Sequence, residues 1–154
     1  MDLLDELKNL IAKLNAEKIE YALCGGLAMA VYAMPRATLD IDVLIEEESL
    51  EPTLRAVHDL GFTLSAAPMT FHGGTMRIHR VSKLESGTGE TLMLDLLLVS
   101  SEIRKSWDGR MKVEWEHGSL SVVSPEGLIL LKSLRGSGQD QDDIAFLRSI
   151  IHED

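Results

Sequence analysis

The chain has a single cysteine, Cys24, so no disulfide can form within it. Nor does it carry an excess of basic residues: 15 Lys and Arg stand against 25 Asp and Glu, a formal net charge of −10. That balance argues against a sequence-independent grip on nucleic acid, which needs clustered cations, and does not favour an anionic membrane surface. It leaves a local phosphate site open, because metal ions, backbone N–H groups and one or two cations suffice there. The longest uncharged apolar run, from Tyr21 to Met34, includes two glycines and is too short to span a bilayer. His58, His72, His79, His117 and His152 show no zinc-ligand spacing with one another or with Cys24. Ser100-Ser101 lacks the setting of a nucleophile. There is no basic amino-terminal segment of the signal-peptide kind, no internal repeat and no low-complexity tract. A lone cysteine among apolar neighbours suits a reducing cytoplasm, and the expected localisation is cytoplasmic.

At 154 residues the chain has the length of one compact domain, expected to run over 1–154. Leu3, Leu4, Leu7, Leu10, Ile11 and Leu14 recur at helical spacing and predict an amphipathic first helix, whose exposed apolar residues offer a dimer face. A short strand through Leu23 leads into Gly25-Gly26 and then a helix over Leu27–Ala33, ended by Pro35. Leu39–Ile45 reads as a strand followed by a solvated acidic loop, with Ser49 expected to cap a helix from about Leu50 to Leu60. Strand-like pieces lie near Phe62–Leu64 and Met76–Val81, and Thr91–Val99 is too apolar to be an edge strand. Ser101–Trp107 suggests a short helix, and Met111–Glu116 with Ser119–Val123 a hairpin. Ser124-Pro125-Glu126 marks a helix start, Gly136-Ser137-Gly138 a break, and Asp140–Ile151 a last helix. The fold class expected is α/β or α+β: a small mixed sheet flanked by helices.

The chemistry concentrates in three aspartates. Strand alternation turns Asp40 and Asp42 to one face, about 6–7 Å apart, and sends Ile41, Val43 and Ile45 into the core. Asp95 sits inside the apolar run Leu92–Val99, where an uncompensated charge is costly. It must reach solvent, meet an arginine or bind a metal. Three carboxylates gathered on one face repel unless neutralised, and hard oxygen ligands suit Mg²⁺ or Mn²⁺. Gly25 and Gly26, without Cβ atoms, let phosphate approach the backbone.

The ordered set Cys24-Gly25-Gly26, a thirteen-residue spacer, Asp40-Ile41-Asp42 and a later strand Asp95 resembles the nucleotidyltransferase superfamily that includes DNA polymerase beta. The fuller string, with Arg36, Thr38, Lys132-Ser133-Leu134-Arg135 and Asp140-Gln141-Asp142-Asp143, is similar to the small branch holding the AbiEii-type toxin nucleotidyltransferases. The resemblance covers about residues 20–147. It implies a Mg²⁺- or Mn²⁺-dependent enzyme that moves a nucleoside monophosphate from a nucleoside triphosphate to an acceptor hydroxyl. Asp40, Asp42 and Asp95 would be catalytic and bind metal. Gly25, Gly26, Arg36, Thr38 and Lys132 would hold the nucleotide. Against these roles, Lys132 also fits a solvated lysine, and Asp140 and Asp143 fit compensation of a helix dipole. Gln139 replaces an expected basic residue, and no acceptor-binding domain is evident. The alternative is therefore a nucleotide-binding module without turnover that acts through a protein partner, such as one half of a toxin–antitoxin pair. The acceptor and the oligomeric state, monomer or homodimer, stay open.

Overall fold

The computed structural model describes residues 1–32, 40–135 and 138–151, apart from the side chains of His72, Arg135 and Gln139. Arg36 and Thr38 lie outside the described residues, as do Pro35, Gly136, Ser137 and His152. Among the described residues there are eight strands and six α-helices, arranged as a mixed sheet with helices against it. The strands are β1 (Ala22–Cys24), β2 (Asp40–Ile45), β3 (Leu64–Ser65), β4 (Met69–Phe71), β5 (Met76–Leu84), β6 (Thr91–Leu98), β7 (Met111–Trp115) and β8 (Gly118–Val122). The helices are α1 (Leu3–Ala16), α2 (Gly25–Val31), α3 (Leu50–His58), α4 (Arg104–Asp108), α5 (Pro125–Arg135) and α6 (Gly138–Ile151).

The strand order is β3-β5-β6-β2-β1-β8-β7, with β4 on β5 beside β3. β2 runs parallel to β6 and β1 parallel to β8; the other pairings are antiparallel. β6 is interior, between β2 and β5, as its unbroken apolar character demands. On β2, Ile41, Val43 and Ile45 are fully buried on one face, and Asp40 and Asp42 occupy the other. The apolar face looks toward α1: Lys83, on that same side of β5, donates to both carboxylate oxygens of Glu6 in α1 at 3.0 Å. α1 buries Leu7, Leu10, Ile11 and Leu14, and Asp2 caps it by accepting from the Leu4 N–H at 2.9 Å. Leu4 is left half-exposed on α1.

Several local expectations change. Ser49 does not cap α3 with its side chain, because Glu47–Ser49 already form a turn of 3₁₀ helix and Ser49 itself is helical. The acidic stretch before it is tied down rather than merely solvated: Glu46 accepts from Arg104 at 2.6 Å and Glu47 from Arg77 at 2.8 Å. α2 starts at Gly25 itself rather than at Leu27. β3 follows Phe62 rather than including it, and β4 is an added strand directly after Pro68. Proline cannot donate to a ladder, so pairing resumes only beyond it.

α5 starts where its sequence says. The Ser124 hydroxyl accepts from the Gly127 N–H at 3.1 Å, and Pro125 occupies the first turn, where a missing donor costs nothing. Gly127 permits close passage: a Cβ there would sit 2.7 Å from the Val123 side chain and 3.1 Å from Ser106 in α4. This seating aims the cavity-facing residues of α5, and Ser124→Ala is expected to cost about 0.5–2 kcal/mol in urea unfolding. An unchanged midpoint would show that the cap does not hold the helix start.

Candidate functional site

A single rung crosses four neighbouring strands. Cys24 of β1 pairs with Asp42 of β2, Asp42 with Asp95 of β6, and Asp95 with Arg80 of β5. Residues in register share a face, so Asp42, Asp95 and Arg80 stand side by side, with Asp40 one step along β2 on the same side. These residues line a cavity of about 640 Å³ between this face and α5. The sequence expectation that three carboxylates meet is therefore met at the level of strand register.

Asp95 is buried, and Arg80 holds it at two points: Nε to Oδ1 at 2.7 Å and Nη2 to Oδ2 at 3.0 Å. This bidentate geometry suits arginine and not lysine. Of the fates open to a carboxylate in an apolar strand, the meeting with an arginine is present in the fold. The hydrogen bond to Asp95 raises the Arg80 pKa further, with smaller contributions from the charges of Asp40 and Asp42. Burial, and then the Asp95 charge, push the Asp40 carboxyl above its ordinary value, while Arg80 acts in the opposite sense. Arg80 was not among the residues singled out from sequence. The available signal was indirect: a carboxylate in a core strand calls for a cation.

Gly25 closes the site from the β1 side. Its φ is +68°, a conformation that side chains rarely adopt. A Cβ there would overlap the Asp42 carboxylate oxygen Oδ2 and lie 2.7 Å from Asp42 Cγ. Glycine is thus required twice, for backbone angle and for space. Gly26 follows in the first turn of α2.

Lys132 lines the same cavity from α5, yet it is not a solvated lysine. It is buried, its Nζ lying 2.9 Å from Asp143 Oδ2 and 3.7 Å from Asp140 Oδ1 in α6. Asp140 and Asp143 are buried as well, one turn apart on α6, and their first task is to tie α6 to α5 through this ammonium. Cys24 is a buried core thiol and Trp107 a buried core residue, stacked under the Arg110 guanidinium at 4.0 Å.

The donor chemistry fits a hard divalent cation. Asp40, Asp42 and Asp95 offer hard oxygen ligands on one face. Among the described residues, no three His, Cys, Asp or Glu side chains close into a ready-made cage. Each Asp95 oxygen, although engaged by Arg80, keeps a second lone pair.

A family model described as "Nucleotidyltransferase of unknown function (DUF6036)" matches residues 1–148. Among solved structures, a nucleotidyltransferase candidate from Thermotoga maritima is 17% identical, with 98% of this chain and 93% of that one covered and a TM-score of 0.62. The antibiotic-resistance factor ANT(2'')-Ia is 14% identical, with 98% and 86% covered and a TM-score of 0.61. JHP933 from Helicobacter pylori is 16% identical, with 97% and 65% covered and a TM-score of 0.54. At these identities the likeness is one of fold. No curated protein matches the chain. Among the described residues, no helix is long and apolar enough to cross a membrane.

Removing the guanidinium isolates a buried carboxylate beside two others. Arg80→Ala is expected to lower stability by about 1–3 kcal/mol in chemical denaturation, with Arg80→Lys losing less because it keeps the charge. Equal, negligible losses in both variants would mean that the pair does not offset the carboxylate repulsion.

Proposed function

The chain belongs to the DUF6036 family of nucleotidyltransferases, and on that premise we propose that it transfers a nucleoside monophosphate from a nucleoside triphosphate to an acceptor hydroxyl, dependent on Mg²⁺ or Mn²⁺. The observation that carries this reading is the register of Asp42 against Asp95, with Gly25 packed onto Asp42. It supports a catalytic carboxylate group with the triphosphate entering over a backbone that bears no Cβ.

In this mechanism Asp40 and Asp42 hold the divalent cation, and Asp95 shares in holding it. The cation, when bound, neutralises phosphate charge and stabilises the leaving pyrophosphate. Gly25 and Gly26 bring the triphosphate against the chain. Arg36 and Thr38 belong to the same nucleotide-binding set. Asp95, fixed in the two-point grip of Arg80, accepts a hydrogen bond from the acceptor hydroxyl and then its proton. That oxygen attacks the α-phosphorus, and the bond to pyrophosphate breaks. Lys132 belongs to the nucleotide-binding set on the α5 side of the cavity, its ammonium positioned by Asp143 and Asp140. Fixing the reacting groups in advance lowers the barrier because no reorganisation is needed as charge shifts.

The reading is tested with an α-³²P-labelled nucleoside triphosphate, Mg²⁺ and a small-molecule extract as the source of acceptor. Wild type is expected to move label into a new product, and Asp42→Ala to reduce the rate by about a hundredfold or more. Full activity in Asp42→Ala would refute the assignment.

A further inference from the structure

The face that carries the carboxylates changes character abruptly. Beyond the Asp42–Asp95–Arg80 rung, the next rung on the same face is Leu97–Ile78–Met69, across β6, β5 and β4. After it comes the pair Met76–Phe71. All five side chains line the same cavity. The first apolar rung lies about 7 Å from Asp95 and the second about 14 Å, two and four residues along the strands. Leu97 and Met76 are buried and form the floor, whereas Phe71 is 45% exposed at the sheet edge. A large aromatic ring left this open at the mouth of a reactive cavity is a surface for a ligand.

We propose that this wall is the acceptor subsite and that the acceptor is a small alcohol or phenol whose hydroxyl is carried on an apolar or aromatic body. The inference rests on the nucleotidyl-transfer reading given above and specifies its acceptor. Attack and departure at phosphorus lie roughly in line. With the triphosphate on the Gly25 side of Asp42, the acceptor approaches from the far side, past Asp95 toward β5 and β4. The strand order makes that side the apolar wall. The charges favour the same class. Among the described residues lining the cavity, the acids are Asp40, Asp42 and Asp95, all at the reacting end. A polycationic sugar would find no further carboxylate along the wall. The cavity volume of about 640 Å³ is that of a small-molecule site rather than a macromolecular groove.

The test is equilibrium binding by ligand-observed NMR and calorimetry on the full chain with Mg²⁺. The probes are 2-(2-naphthyl)ethanol, kanamycin and a non-hydrolysable nucleoside triphosphate. Wild type is expected to bind the naphthyl alcohol more tightly than kanamycin. Phe71→Ser, at an exposed edge position, is expected to weaken the alcohol about tenfold or more while nucleotide affinity holds. Ile78→Ser is the second variant and should act in the same direction. Tighter binding of kanamycin, or an alcohol affinity unmoved by both substitutions, would overturn the proposal. So would a loss confined to the nucleotide in Phe71→Ser, which would give the wall to the nucleobase. Alcohol binding that depends on Phe71 in a protein with no nucleotide affinity would uphold the apolar subsite and defeat the nucleotidyl reading instead.

Discussion

Like charge crowded onto one face of a sheet is the constraint around which this molecule is arranged. Asp42 and Asp95 are direct neighbours across β2 and β6, and Asp40 adds a third carboxylate one step away. Left alone, such a group would favour protonation or local opening. The fold answers with Arg80 from the next strand, bound to Asp95 through two hydrogen bonds. The Asp40 pKa is nonetheless raised, first by burial and then by the Asp95 charge, with Arg80 acting against both. A protein selected for stability alone would place apolar side chains there, since buried ion pairs add little by themselves.

The same logic recurs on the opposite wall of the cavity. Lys132, Asp140 and Asp143 are all buried, and a single ammonium serves two acids across α5 and α6. The two walls of the cavity are thus each fixed by an ion cluster, one within the sheet and one between helices. Packed around them is an apolar frame: the fully buried Leu94 and Leu96 of β6 and Ile41 and Val43 of β2 hold the strands in register. Without that register the acid side chains would not meet.

What could be read from the sequence follows from which interactions are local. The alternation around Asp40-Ile41-Asp42 and the apolar run around Asp95 are local patterns, and they placed the carboxylates on the correct strands. The helix start at Ser124-Pro125 and the hairpin of β7 and β8 are equally local and appear as expected. Arg80 was invisible because its meaning comes from a partner fifteen residues away in a neighbouring strand. Nothing in Met76–Val81 distinguishes it from a surface arginine. The burial of Lys132 was likewise hidden, although its apolar neighbours in Leu128–Leu134 were a hint and the spacing of Asp140 and Asp143 another. β4 escaped notice because three residues after a proline carry too little periodicity to register.

The central claim is that the carboxylate face binds a divalent cation together with a nucleotide. Calorimetric titration of Mg²⁺ with a non-hydrolysable nucleoside triphosphate, on wild type and on the Asp40→Ala/Asp42→Ala double variant, tests it most directly. The account expects nucleotide binding that requires Mg²⁺ in wild type and disappears in the double variant while the fold, followed by circular dichroism, is retained. Metal-independent binding, or binding that survives loss of both aspartates, would contradict it.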